Sequence, residues 1–152
     1  VTLTGIDSDD VYMVAVNNVT LNTSGSGFYV RVTTSGTADS DSEYDIAYKV
    51  LRADNSFANT SNTNGNLWDL TTQYVATGVS NNGILYLYNF NNSSEYSFIT
   101  NETAFFWSGS NNLNGNQGGG VHTVAETNDG IHFVSDSGRT FESGTFTLYK
   151  VI

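Results

Sequence analysis

Two acidic runs carry the best-spaced chemistry in this 152-residue chain. Asp7-Ser-Asp-Asp10 and Asp39-Ser-Asp-Ser-Glu43 put carboxylates at alternate positions in segments that read as loops. Hard cations such as calcium take several oxygen ligands at about 2.3–2.6 Å, and short acidic loops can supply them. Asp39, Asp41 and Glu43 have the better spacing and are the candidate calcium ligands. They lack the glycine and the full ligand series of an EF-hand loop, and a solvated acidic turn accounts for the same residues. No other cofactor is expected.

The two histidines, His122 and His132, flank Asn128-Asp129-Gly130, which reads as the turn of a hairpin. A two-residue loop would put the two rings on opposite faces, and a three-residue loop would reverse that. With no cysteine and no His-Glu-x-x-His spacing, a zinc site is not expected, and both read as ordinary strand histidines. There is no Gly-x-Ser-x-Gly elbow, and Gly118-Gly-Gly120 is not followed by Lys-Ser/Thr as a phosphate loop requires. A glycosidase needs two carboxylates facing across a cleft, and the carboxylates here fall in turns. The reading is a protein that is not an enzyme.

Sugar recognition pairs an aromatic face, which covers C–H groups, with amides and carboxylates that orient hydroxyls. Trp68, flanked by Asn66 and Asp69 after a long polar stretch, suits that description. The alternative makes Trp68 an edge-strand core residue, and Trp107 in Ala104-Phe-Phe-Trp107 reads as core. Six Asn-x-Ser/Thr sequons occur, at Asn18, Asn22, Asn59, Asn91, Asn92 and Asn101, of which Asn59, Asn91 and Asn92 read as most exposed. They matter only on a glycosylating secretory route.

The frame for these groups is written in composition and periodicity. Nine Tyr, nine Phe and two Trp can fill a core with few aliphatics. The net charge is −10, yet only 13% of residues are charged, so this is not a disordered acidic tail. Five scattered basic residues make no phosphate-binding patch, which argues against nucleic acid. No apolar run approaches the roughly 18 residues of a spanning helix, so membrane insertion is not expected. With no proline, turns fall to Gly, Asn, Asp and Ser. The chain opens at Val1 and its one methionine is Met13, which a processed product, an excised domain or part of a longer chain would explain.

Period-two runs recur and helical rhythm does not. Strands are expected over 3–6, 11–20, 28–34, 44–52, 74–77, 84–90, 96–100, 104–107, 121–126, 131–135 and 145–151. Long loops are expected over 52–66 and 108–120, where any binding would be centred. This pattern predicts an all-β fold, an antiparallel β-sandwich, jelly-roll-like, with residues 1–152 as a single domain. Tyr44, Ile46, Tyr48 and Val50 share one strand face. In the next apolar strand Ile84, Tyr86, Tyr88 and Phe90 oppose Leu85 and Leu87, so both faces are apolar. The strand is expected either centrally in its sheet or at an interface, with Leu85 and Leu87 as candidate assembly residues if they face that interface and not the core.

The ends of the chain carry a resemblance. Ser137-Gly138 leads to Phe141-Glu-Ser-Gly144 and then Phe146-Thr-Leu-Tyr-Lys-Val-Ile152, while Leu3-Thr-Gly-Ile-Asp7, Tyr12 and Val16-Asn-Asn-Val19 open the chain. This resembles small β-sandwich domains of tailed-phage virion proteins, of capsid-decoration or tail-fibre type, although Lys150 stands where glycine is usual and no proline follows Val19. The resemblance implies a structural module at a virion surface, outside the cell, whose partners are copies of itself or the larger particle. A subunit of an extracellular filament or surface layer fits the residues too, as does a free-standing lectin that binds a cell-surface glycan.

Overall fold

The computed structural model describes residues 1–136 and 139–151, so the turn expected at Ser137-Gly138 and the final Ile152 lie outside the described residues. In chain order the strands are β1 (Thr2–Thr4), β2 (Tyr12–Leu21), β3 (Tyr29–Thr34), β4 (Thr37–Ala38), β5 (Tyr44–Arg52), β6 (Phe57–Gly65), β7 (Trp68–Asp69), β8 (Asn81–Tyr88), β9 (Tyr96–Trp107), β10 (Asn112–Ala125), β11 (Gly130–Val134) and β12 (Phe141–Lys150). They form two antiparallel sheets packed as a β-sandwich. One runs β12-β2-β8-β9-β10-β5-β6, and the other β1-β11-β3-β4 with β7 also paired to β3.

Alternation builds the core. Tyr44, Ile46, Tyr48 and Val50 of β5 share one face, as expected, and all are buried; the first three join the core with Val14, Leu85, Leu87, Ile99 and Phe105 of their own sheet and Val30, Val32, Ile131 and Phe133 of the other. Asparagine makes many of the bends that proline cannot. Among the described residues seven non-glycines have positive φ, and five are Asn18, Asn55, Asn64, Asn89 and Asn111, whose short amides tolerate that region.

Three expectations need correction. The segments 52–66 and 108–120 are not long loops: most of the first is β6 and most of the second is β10. Their Asn, Thr and Gly residues read as turn formers, yet each is zipped to a neighbour, β6 to β5 and β10 to both β5 and β9. Glycine at 120 has a packing reason, because a Cβ there would stand 2.6 Å from the indole of Trp68. Segment 74–77 forms only isolated bridges at Val75. Finally, His122 and His132 do not share a hairpin, since β10 and β11 belong to different sheets and the intervening residues cross between them.

The closing strand β12 is an edge strand bonded to β2, with register shifts around Ser143. Phe146 and Leu148 are half-buried, and Phe146 stacks on Phe133 with ring centroids 4.4 Å apart.

Candidate functional site

The outer face of the seven-stranded sheet presents side chains in rows set by the register. One row reads Thr147, Ala15, Ile84, Glu102, Gln117, Lys49 and Asn59. The row on one side reads Tyr149, Met13, Tyr86, Thr100, Gly119 and Ala47. On the other side Asn82, Ala104, Gly115, Leu51 and Phe57 line up. Small residues at Ala15, Ala104 and Gly115 leave a groove of about 900 Å³ across the sheet, bordered by Ile84, Leu51, Phe57, Leu113 and Tyr149. Glu102 lends the groove a carboxylate, and Arg52 enters at the end where its guanidinium lies 5.3 Å from the Trp107 ring. Phe57 is 63% exposed and Leu113 56%.

Both faces of β8 are apolar, as its residues imply, but the inward and outward sets are the reverse of expectation. Leu85 and Leu87 are fully buried and cannot serve a contact face, whereas Ile84 and Tyr86 stand outside. The register forces this: Leu85 pairs with Val14 and Leu87 with Tyr12, both inward-facing. Phe90 leaves the alternation, since Asn89 at φ 59° turns the chain and Phe90 enters the core.

Trp68 is not a sugar platform. It is fully buried, edge-on to Tyr44 and tilted against Phe90, and its Nε1–H donates to the Val121 carbonyl at 3.2 Å. Asn66 is exposed and gives its carbonyl to Arg31 Nε at 3.0 Å. The Asp69 carboxylate accepts the Thr71 and Thr72 amides at 3.2 and 2.8 Å, and burial raises its pKa despite those bonds. The three residues therefore do not converge on a ligand face.

Among the sequons, Asn18, Asn22 and Asn59 are exposed. Asn91 and Asn92 are only half-exposed, and their amide nitrogens are engaged, with the Ile6 carbonyl and with Asp9. Asn101 is 4% exposed on the inner face of β9, so its amide is out of reach of a glycan carrier in the folded chain.

The acidic segment between β4 and β5 closes over one end of the sandwich. Asp39 and Glu43 turn toward the fully buried ring of His122, whose Nε2 lies 2.9 Å from Asp39 Oδ2 and 3.4 Å from Glu43 Oε2. Glu126 Oε1 approaches Nδ1 from the other side at 4.0 Å. Asp41 does not join the set by its carboxylate, which is exposed. Its amide donates to Asp39 Oδ1 at 2.9 Å and its carbonyl accepts the Glu43 amide at 3.0 Å. Burial raises the pKa of Asp39, but the Asp41 amide and the His122 ring outweigh it and the net shift is downward. Glu43 shifts upward through burial and the neighbouring Asp39 charge.

The expected trio Asp39, Asp41 and Glu43 is thus replaced by Asp39, Glu43, Glu126 and His122. The signal for the two newcomers was the i, i+4 pair His122 and Glu126, which means little until β10 is placed beside the 39–43 segment. His132 sits elsewhere, with its Nδ1 2.7 Å from Thr2 Oγ1. In the other acidic run Asp7 accepts the Tyr12 hydroxyl at 3.0 Å and Asp10 pairs with Lys150 at 2.7 Å.

No protein-family model, curated protein or solved structure matches this chain.

Proposed function

We propose that this chain is a non-enzymatic structural module of an external assembly, joined to copies of itself or to a larger particle through the outer face of its seven-stranded sheet. One observation carries the reading: Ile84, Tyr86, Phe98, Leu51, Phe57, Leu113 and Tyr149 all stand exposed on that face. Large apolar side chains gathered on one exposed face in this number mark a contact site. The end motifs favour a virion surface, as a decoration or tail-fibre domain. An extracellular filament would use the same face, with the open edges of β6 and β12 beside it. Sedimentation of the native protein over a range of concentrations tests the proposal. Self-association or particle binding that Tyr86→Lys weakens, with the circular dichroism spectrum unchanged, is the expected result. A strict monomer that joins no particle in its native source overturns it.

A second reading has its own support. The groove sets Tyr149 and Phe57 beside Asn82 and Glu102, an aromatic and polar combination that suits a sugar. A glycan array is its test, with binding lost in Glu102→Gln as the expected outcome.

A further inference from the structure

We propose that His122, Asp39 and Glu43 form a binding site for a divalent transition cation of the zinc class, with Glu126 as the carboxylate that orients the histidine. His122 is fully buried at the end of β10; its Nε2 is hydrogen-bonded to Asp39, but its Nδ1 has no partner among the described residues, with Glu126 Oε1 at 4.0 Å. A buried imidazole nitrogen without a partner is unfavourable, so the arrangement calls for an explanation beyond packing.

The distances fit a shared cation on Nε2. Metal–ligand bonds of about 2.0–2.1 Å in tetrahedral geometry put neighbouring ligand atoms roughly 3.3–3.4 Å apart, and octahedral geometry puts them about 3.0 Å apart. The separations from Nε2 to Asp39 Oδ2 and Glu43 Oε2 are 2.9 and 3.4 Å. A cation on Nε2 leaves the ring proton on Nδ1, and Glu126 Oε1, 4.0 Å away, is the carboxylate that would accept it once drawn about 1 Å closer. Ligating histidines commonly show this carboxylate–histidine–metal order. Two carboxylates crowded beside one imidazole also repel each other. A cation relieves that repulsion.

The donor set chooses the metal class. Imidazole nitrogen suits zinc and its neighbours, whereas calcium wants an all-oxygen shell of six to eight ligands. Asp39 follows β4 of one sheet and His122 belongs to the other, so a bound ion would clasp the two sheets at this end.

The test uses the full chain stripped with a chelator and titrated with zinc chloride at neutral pH. Calorimetry and thermal melting are read in parallel, and nitrogen NMR follows the His122 ring. One zinc per chain is expected, with a melting temperature that climbs and saturates and a shift of His122 to the Nδ1–H form. Asp39→Asn and Glu43→Gln should each weaken zinc at least about tenfold, and Glu126→Gln about tenfold, within the range seen for orienting partners. Glu43 is partly exposed, so Glu43→Gln remains informative if Asp39→Asn does not fold. Zinc that fails to saturate by millimolar concentration overturns the proposal. So does zinc binding that leaves the His122 signals unmoved or is unchanged in Glu43→Gln, or tighter binding of calcium than of zinc.

Discussion

The indole of Trp68 meets the ring of Tyr44 edge-on, with centroids 5.2 Å apart and planes at 88°, and Tyr44 in turn lies 4.9 Å from the His122 ring. The Tyr44 hydroxyl ties this column to both sheets' surroundings, donating to the Asp39 carbonyl at 3.0 Å and accepting the Val32 amide at 3.2 Å. The buried indole thus props up the aromatic that backs the acidic segment. Edge-to-face geometry of this kind adds to what burial alone contributes.

Replacing Trp68 with alanine should therefore behave as a core truncation. A loss of about 3–5 kcal/mol is expected, read as a lower urea midpoint. Gly120→Val should destabilise the same place from the opposite side, because its side chain would enter the volume of the indole. A Trp68→Ala protein of unchanged midpoint would contradict the packing described.

Leu85 and Ile84 are neighbours with opposite fates. Leu85→Ala should lower stability by about 2–5 kcal/mol, as for a buried leucine, whereas Ile84→Ala should stay within about 0.5–1 kcal/mol of the parent because Ile84 lies on the outer face and is 44% exposed. Chemical denaturation of the two variants side by side measures the difference. A larger loss for Ile84→Ala than for Leu85→Ala would mean that the strand is in the other register.

Asp69 makes a pH prediction. Burial holds its folded pKa above the unfolded value, with the Thr72 and Thr71 amides only partly compensating. The folded state then binds the proton more tightly, so ionisation opposes folding at neutral pH. That penalty is complete above the folded pKa and is relieved as pH falls through it toward the unfolded value. Asp69→Asn keeps an oxygen to accept both amides and should raise stability at pH 7 by about 0.5–1 kcal/mol, in the range common for removing a misplaced charge. The advantage should shrink on acidification, and urea melts of both proteins at two pH values check it.

The alternation of Tyr44, Ile46, Tyr48 and Val50, and of Leu85 and Leu87 against Ile84 and Tyr86, makes strands and a sandwich legible from the order of residues alone. Side chains two apart share a face whatever the strand pairs with. Turn chemistry is legible for a similar reason, because positive φ at Asn18, Asn89 or Asn111 is a local preference.

Which face of β8 looks inward is a different kind of fact. Period two defines two faces and does not rank them when both are apolar, so the choice falls to the register with β2 and β9. The polar strands β6 and β10 also depend on neighbours. Asn- and Gly-rich segments have weak strand preference of their own, and extended partners beside them override it. The cluster around His122 goes furthest beyond local reading. Asp39, in the connection that follows β4, and His122 of β10 are 83 residues apart, and only the closure of the sandwich brings a buried imidazole to within 2.9 Å of that carboxylate.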